Sequence, residues 1–130
     1  MPPATPVVTF NHIPFFTAVE TINGYVDEPP APTLITVGGR TSFRHVVSNA
    51  GELLGLLRAH RYPLALGGHM HVRESLVYAL SGQATRFEQA AAVVGPSDAE
   101  GLHFSSGITV YRVKAGEIGP GRFVALPDSL

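Results

Sequence analysis

An α/β fold with a mostly antiparallel β C-terminal part is what the sequence predicts, and three observations predict it. A β-branched run, Val7-Val8-Thr9-Phe10, breaks off at Asn11-His12-Ile13-Pro14. A leucine-rich helical stretch then leads through a tight connection into a second apolar run and a glycine pair, Leu64-Ala65-Leu66-Gly67-Gly68. Beyond residue 72 the pattern changes to the two-residue alternation of half-buried strands. With 130 residues, the chain has the length of one modest domain, so residues 1–130 are expected to share a single core.

Each element has a local reason. Val7 to Phe10 reads as a buried strand emptying into a loop, which puts His12 just past a strand end. The segment through Asp27-Glu28-Pro29-Pro30-Ala31-Pro32 is too rich in proline for helix or central strand and reads as an exposed flap or insertion. Asn49 with Glu52 predicts a capping box, and Leu53, Leu54, Leu56 and Leu57 give a helix an apolar face through about His60. Tyr62-Pro63 is expected to end that helix, and Leu64-Ala65-Leu66 to form a short strand. Further on, Ser75 to Leu80, Phe87 to Val94 and Ile108 to Val113 read as strands. Ala115-Gly116 suits a tight turn in a closing hairpin between Thr109–Val113 and Arg122–Leu126, interrupted at Gly119 to Gly121.

Composition excludes several classes of function. Apolar residues make up 45% and charged residues 15% of the chain, which favours a packed globule over a solvated tail. A net charge of -1 with both signs scattered provides no basic footprint for nucleic acid and no membrane-surface helix. No apolar run approaches the ~18 residues of a membrane span, and Met1 to Pro6 has no signal-peptide pattern, so a cytoplasmic location is expected. Without cysteine, any site for a softer metal must be built from histidine.

The histidines carry the chemistry. On an extended loop, His69 and His71 would project to one side about 6 to 7 Å apart. Gly67 and Gly68 let the backbone pass close to an ion, and Met70 can turn back into the core. Ligand sites in open α/β sheets lie beyond the carboxyl ends of strands, where both His12 and this loop are placed. His12, His69 and His71 are therefore the candidate metal ligands. His45, His60 and His103 read as surface or satisfied core histidines. Gly38-Gly39-Arg40-Thr41 lacks the Walker spacing and reads as a simple loop. Arg40, Arg44 and Arg73 are candidates for contacting a phosphate, and Glu74 and Asp27 are weaker candidates for a carboxylate ligand or base. No residue is assigned as catalytic or as substrate-binding.

Val7-Val8-Thr9-Phe10-Asn11-His12-Ile13-Pro14 and Gly68-His69-Met70-His71 resemble two motifs of the C-terminal half of a calcineurin-like metallophosphoesterase: the strand ending in His, a hydrophobic residue and Pro, and the Gly-His-x-His loop. The resemblance covers nearly the whole chain and implies half of that family's layered sandwich. It also implies that His12 and His69 share one ion while His71 holds its neighbour. The family's Asp-x-His, Gly-Asp-x-x-Asp and Gly-Asn-His-Asp/Glu motifs do not occur. Asp27, Asp98 and Asp128 are the only aspartates, and none stands in such a context.

Two functions follow. One is a metal-dependent hydrolase of phosphate esters, of the phosphodiester or phosphotriester class. It would use a divalent zinc, manganese or iron ion, take a small-molecule phosphate ester as substrate, and act as a homodimer. The other is a catalytically inactive truncated half-domain, serving as a metal-binding or protein-interaction module. Loss of half a sandwich would leave a free sheet edge and an uncovered apolar face, so self-association is expected in both cases.

Overall fold

The computed structural model describes residues 5–19, 34–80, 82–99 and 101–127. The proline-rich excursion from Asp27 to Pro32 lies outside them. At the centre is a four-stranded sheet of β1 (Pro6–Phe10), β4 (Arg61–Gly67), β6 (Gln83–Gln89) and β5 (Glu74–Leu80), in the order β1-β4-β6-β5. β1, β4 and β6 run parallel, and β5 is antiparallel to β6. Between β1 and β4 come a hairpin of β2 (Leu34–Val37) and β3 (Arg40–Phe43), and the helix α1 (Ala50–Leu57). After β6 follow the hairpin β7 (Ser97–Ala99) and β8 (Leu102–Phe104), then β9 (Gly107–Val110), β10 (Val113–Lys114), β11 (Glu117–Ile118) and β12 (Arg122–Ala125).

The expected half of a layered α/β sandwich is not what forms. Among the described residues strand accounts for 48% and helix for 8%, so they form a set of small β-sheets with a single short helix. The physical reason lies in the connections. Residues 11–19 run as irregular chain. Gly38 and Gly39, at φ 59° and 77°, turn residues 34–43 into a hairpin, because two successive positive φ values match the twist of paired strands. Among the described residues a single segment, Ala50–Leu57, forms a helix with a leucine stripe, and it is too short to cover a sheet face alone. No helix among the described residues is long and apolar enough to cross a membrane.

The boundaries also differ in instructive ways. Asn49 precedes α1 but makes no side-chain cap, so the expected capping box does not form, and the helix stops at Leu57. Tyr62-Pro63 lies inside β4. Pro6 pairs with Arg61 and Val8 with Leu64, leaving β4 one extra residue; this bulge accommodates a proline that has no N–H for the ladder. β6 begins and ends earlier than the apolar run Phe87 to Val94 suggests. In the C-terminal part β9 pairs with β12, as the closing hairpin requires. The Ala115-Gly116 turn, at φ 50° and 78°, joins the separate small hairpin β10–β11 instead.

The core follows from the register. Thr9, Ala65, Phe87 and Leu76 form one row across the sheet and face α1. There Phe15, Ala50, Tyr62, Ala65 and Phe87 are buried, with Leu53, Leu54, Leu57 and Leu76 packed around them. Phe87 is the hub, with Phe15, Phe16 and Tyr62 all meeting it nearly edge-on; burying such a ring is worth about 2–3 kcal/mol. The next row, Val8, Leu64, Arg86 and Val77, points the other way. Arg86 Nη2 donates to the carbonyls of Ile118 and Gly119 at 3.1 and 2.9 Å, and Tyr111 donates to Glu88 Oε2 at 2.5 Å. These contacts hold the C-terminal strands to the sheet.

Candidate metal centre

The three parallel strands end at one edge, and their ladders continue into the loops beyond it. Asn11 N donates to Leu66 O, Gly68 N to His12 O and Ala90 N to Gly67 O, each at 3.0 Å. The loops after β1 and β4 are thus bonded to each other where they carry His12 and His69. Gly67 fits closely there: a Cβ would lie 3.0 Å from both Cα and Cβ of Pro14. Pro14 O in turn accepts from Val47 N at 3.0 Å, which docks the bend between β3 and α1 against the same loop.

After Gly68 the chain turns sharply. Met70 N donates to Gly68 O at 2.8 Å, closing a three-residue turn centred on His69, whose φ is 73°. This is the strained form of a γ-turn. His71 follows at φ 58°. Two non-glycine residues in left-handed backbone store about 1–3 kcal/mol each, and such strain persists only where the surroundings over-determine it. Here the clasp to β1 supplies that constraint.

Three imidazoles line up above the sheet edge. His69 Nδ1 lies 3.2 Å from His12 Nε2, with the rings edge-on at 73°. His69 Nε2 lies 2.9 Å from His45 Nδ1, with the two ring planes inclined by 27°. Two imidazole nitrogens bound to one tetrahedral zinc at 2.0–2.1 Å would sit about 3.3 Å apart, so the His12 and His69 nitrogens already have the spacing and chemistry of a ligand pair. Among the described residues no group of three His, Asp or Glu side chains forms a ready ligand set. His69 turns a different nitrogen to each of its two imidazole neighbours. Burial first, and then the neighbouring His45, His12, His71 and Arg44, push the His69 pKa below the usual imidazole value. Burial and then Arg44 do the same for His45. Both imidazoles are thereby kept neutral, the state that ligates metals.

His71 is close enough for its charge to act on His69, but it is exposed, and its ring makes no hydrogen bond with the described residues. Its backbone is fixed by Ser97 Oγ, which donates to His71 O at 2.5 Å. The sequence-predicted pair His12 and His69 is therefore brought together, whereas the His71 ring stands apart. His45, read from sequence as an ordinary histidine, joins them instead. Its approach depends on the β2–β3 hairpin, for which the signal was a glycine pair between β-branched Ile35-Thr36-Val37 and Thr41.

The other candidates have structural roles. Glu74 accepts from Thr17 Oγ1 at 2.9 Å, from Ala18 N and from Gln89 Nε2, so both its oxygens are occupied. Arg73 stacks over Phe123 at 4.0 Å, and Arg40 lies exposed on β3. Arg44 is the exposed cation whose field reaches His45 and His69. His103 pairs with Asp98 at 2.9 Å on the surface. Asp27 lies outside the described residues. Comparison with known proteins gives no matching family model, no matching curated protein and no matching solved structure.

Proposed function

We propose that the chain is a metal-dependent hydrolase of phosphate esters, phosphodiester or phosphotriester in class, with His12, His69 and His71 as ligands of divalent zinc, manganese or iron. The observation that carries this reading is the approach of His69 Nδ1 to within 3.2 Å of His12 Nε2 across 57 residues of chain. The two sequence motifs that resemble calcineurin-like metallophosphoesterases supply these same residues. A divalent ion held there would contribute Lewis-acid charge and a water of lowered pKa. His12 and His69 provide neutral nitrogen donors on a clasped pair of loops. His71 follows on the same strained turn with its ring exposed, and would supply a further donor from the solvent side. Arg44 places an exposed guanidinium beside them, suited to pairing with a phosphate oxygen. Hydrolysis of an aryl phosphodiester, chelator-sensitive and abolished in His69→Ala, is the expected result; full activity in that variant would refute the proposal.

Self-association belongs to the same reading. Among the described residues β1 pairs only with β4, and Phe10 at its end is 76% exposed. A free edge beside an exposed ring favours a homodimer. A monomer in sedimentation at micromolar concentration would contradict it.

The second reading, a non-catalytic metal-binding or protein-interaction module, is favoured by the engagement of Glu74, which leaves the imidazoles without that carboxylate. Metal binding at His12 and His69 with no chelator-sensitive hydrolysis would select it.

A further inference from the structure

His45 lies on the bend between β3 and α1. Phe43 N donates to Ser48 Oγ at 2.8 Å across that bend, and Val47 N donates to Pro14 O. These two bonds fix where the His45 ring stands relative to the loop that carries His12. The ring meets His69 edge to edge, with centroids 5.2 Å apart, and its Nδ1 is 2.9 Å from His69 Nε2.

A neutral imidazole carries one N–H and one lone pair. His69 has both nitrogens engaged, so the position of its single proton decides which edge can donate electrons to a cation. If Nε2 carries the proton and donates to His45 Nδ1, the lone pair lies on Nδ1 and faces His12 Nε2. With the other tautomer an N–H would occupy the edge toward His12, and the pair would lose a donor. His45 cannot itself join His12 and His69 on one ion in this arrangement, because it meets the opposite nitrogen of the His69 ring. Metal-ligating histidines commonly have the second nitrogen held by an acceptor that fixes tautomer and ring orientation. A carboxylate, a backbone carbonyl or a water usually does this; here the acceptor is a third imidazole.

We propose that His45 is a positioning residue for the metal centre: it accepts the His69 Nε2–H bond and thereby holds the His69 Nδ1 lone pair toward His12. This rests on His12 and His69 being ligands, as in the proposed function. Zinc affinity of the full chain, measured by competition with a chromophoric chelator, should fall about 10- to 100-fold in His45→Ala. His45→Phe keeps an aromatic ring at this position but removes the acceptor, and should fall equally. His45→Asn restores an acceptor near the Nδ1 position and should recover most of the affinity. Independently of any variant, the ring nitrogen shifts of His69 in the metal-free wild-type protein should show the proton on Nε2.

Wild-type affinity in both His45→Ala and His45→Phe, with binding lost in His69→Ala, would overturn the role of His45 and leave the metal centre standing. A proton found on Nδ1 of His69 would do the same. Failure of the wild-type chain to bind zinc at all would overturn both.

Discussion

Pro14 packs against Gly67 so closely that a Cβ there would meet its Cα and Cβ at 3.0 Å. This contact sets the separation of the two loops that carry His12 and His69. Gly67→Ala forces the loop after β1 outward by a few tenths of an ångström. Overpacking of this kind costs about 1–3 kcal/mol, and the small displacement acts directly on the His12 to His69 spacing. Chemical denaturation should show the lost stability, and zinc titration should show weaker binding than in the wild-type chain. Unchanged values in both would mean that the clasp does not set the site.

Glu74 separates a structural carboxylate from a catalytic one. Its oxygens receive donors from Thr17, Ala18 and Gln89, tying residues 17–18 to the starts of β5 and the end of β6. Glu74→Ala leaves those donors unpaired and should destabilise the fold by about 2–3 kcal/mol. Zinc affinity at temperatures where the variant remains folded should stay at the wild-type level. A large loss of affinity in folded Glu74→Ala would make this carboxylate part of the metal centre.

Stability of the metal-free chain should depend on pH in one direction. His45 and His69 both titrate below the usual imidazole value in the folded chain, so the unfolded chain binds more protons once the pH drops below about 6.5. Their folded-state advantage is complete above that value and is lost progressively as the pH falls through it toward the lowered pKa values. Thermal midpoints measured from about pH 8 down to about pH 5 should therefore decline, and more shallowly in His69→Asn. Equal slopes for the two proteins would contradict this.

Much of the central sheet could be read in the sequence because its strands are β-branched or alternate: Val7 to Phe10, Leu64 to Leu66 and Ser75 to Leu80 all lie within observed strands. The glycine pair at the end of β4 also marked the loop that carries His69 and His71. What could not be read depended on contacts between distant segments. Pro63 looks like a helix stop, and only the unequal register of β1 and β4 makes it part of a bulged strand. Gln83, Thr85 and Arg86 are too polar to announce a strand, yet pairing with β5 draws them into one. Asn49 and Glu52 have the spacing of a capping box, but the backbone at Asn49 does not present its side chain to the helix end. His45 is separated from His69 by 24 residues, and no local pattern points to it. It reaches the site because Gly38 and Gly39 reverse the chain.

The central claim is that His12 and His69 form a metal-ligating pair. Equilibrium zinc binding to metal-free wild type, His12→Ala and His69→Ala, with folding of each checked by circular dichroism, tests it most directly. Tight binding in the wild type and its loss in both folded variants is the predicted result. Binding that persists at wild-type strength in both variants would contradict the account.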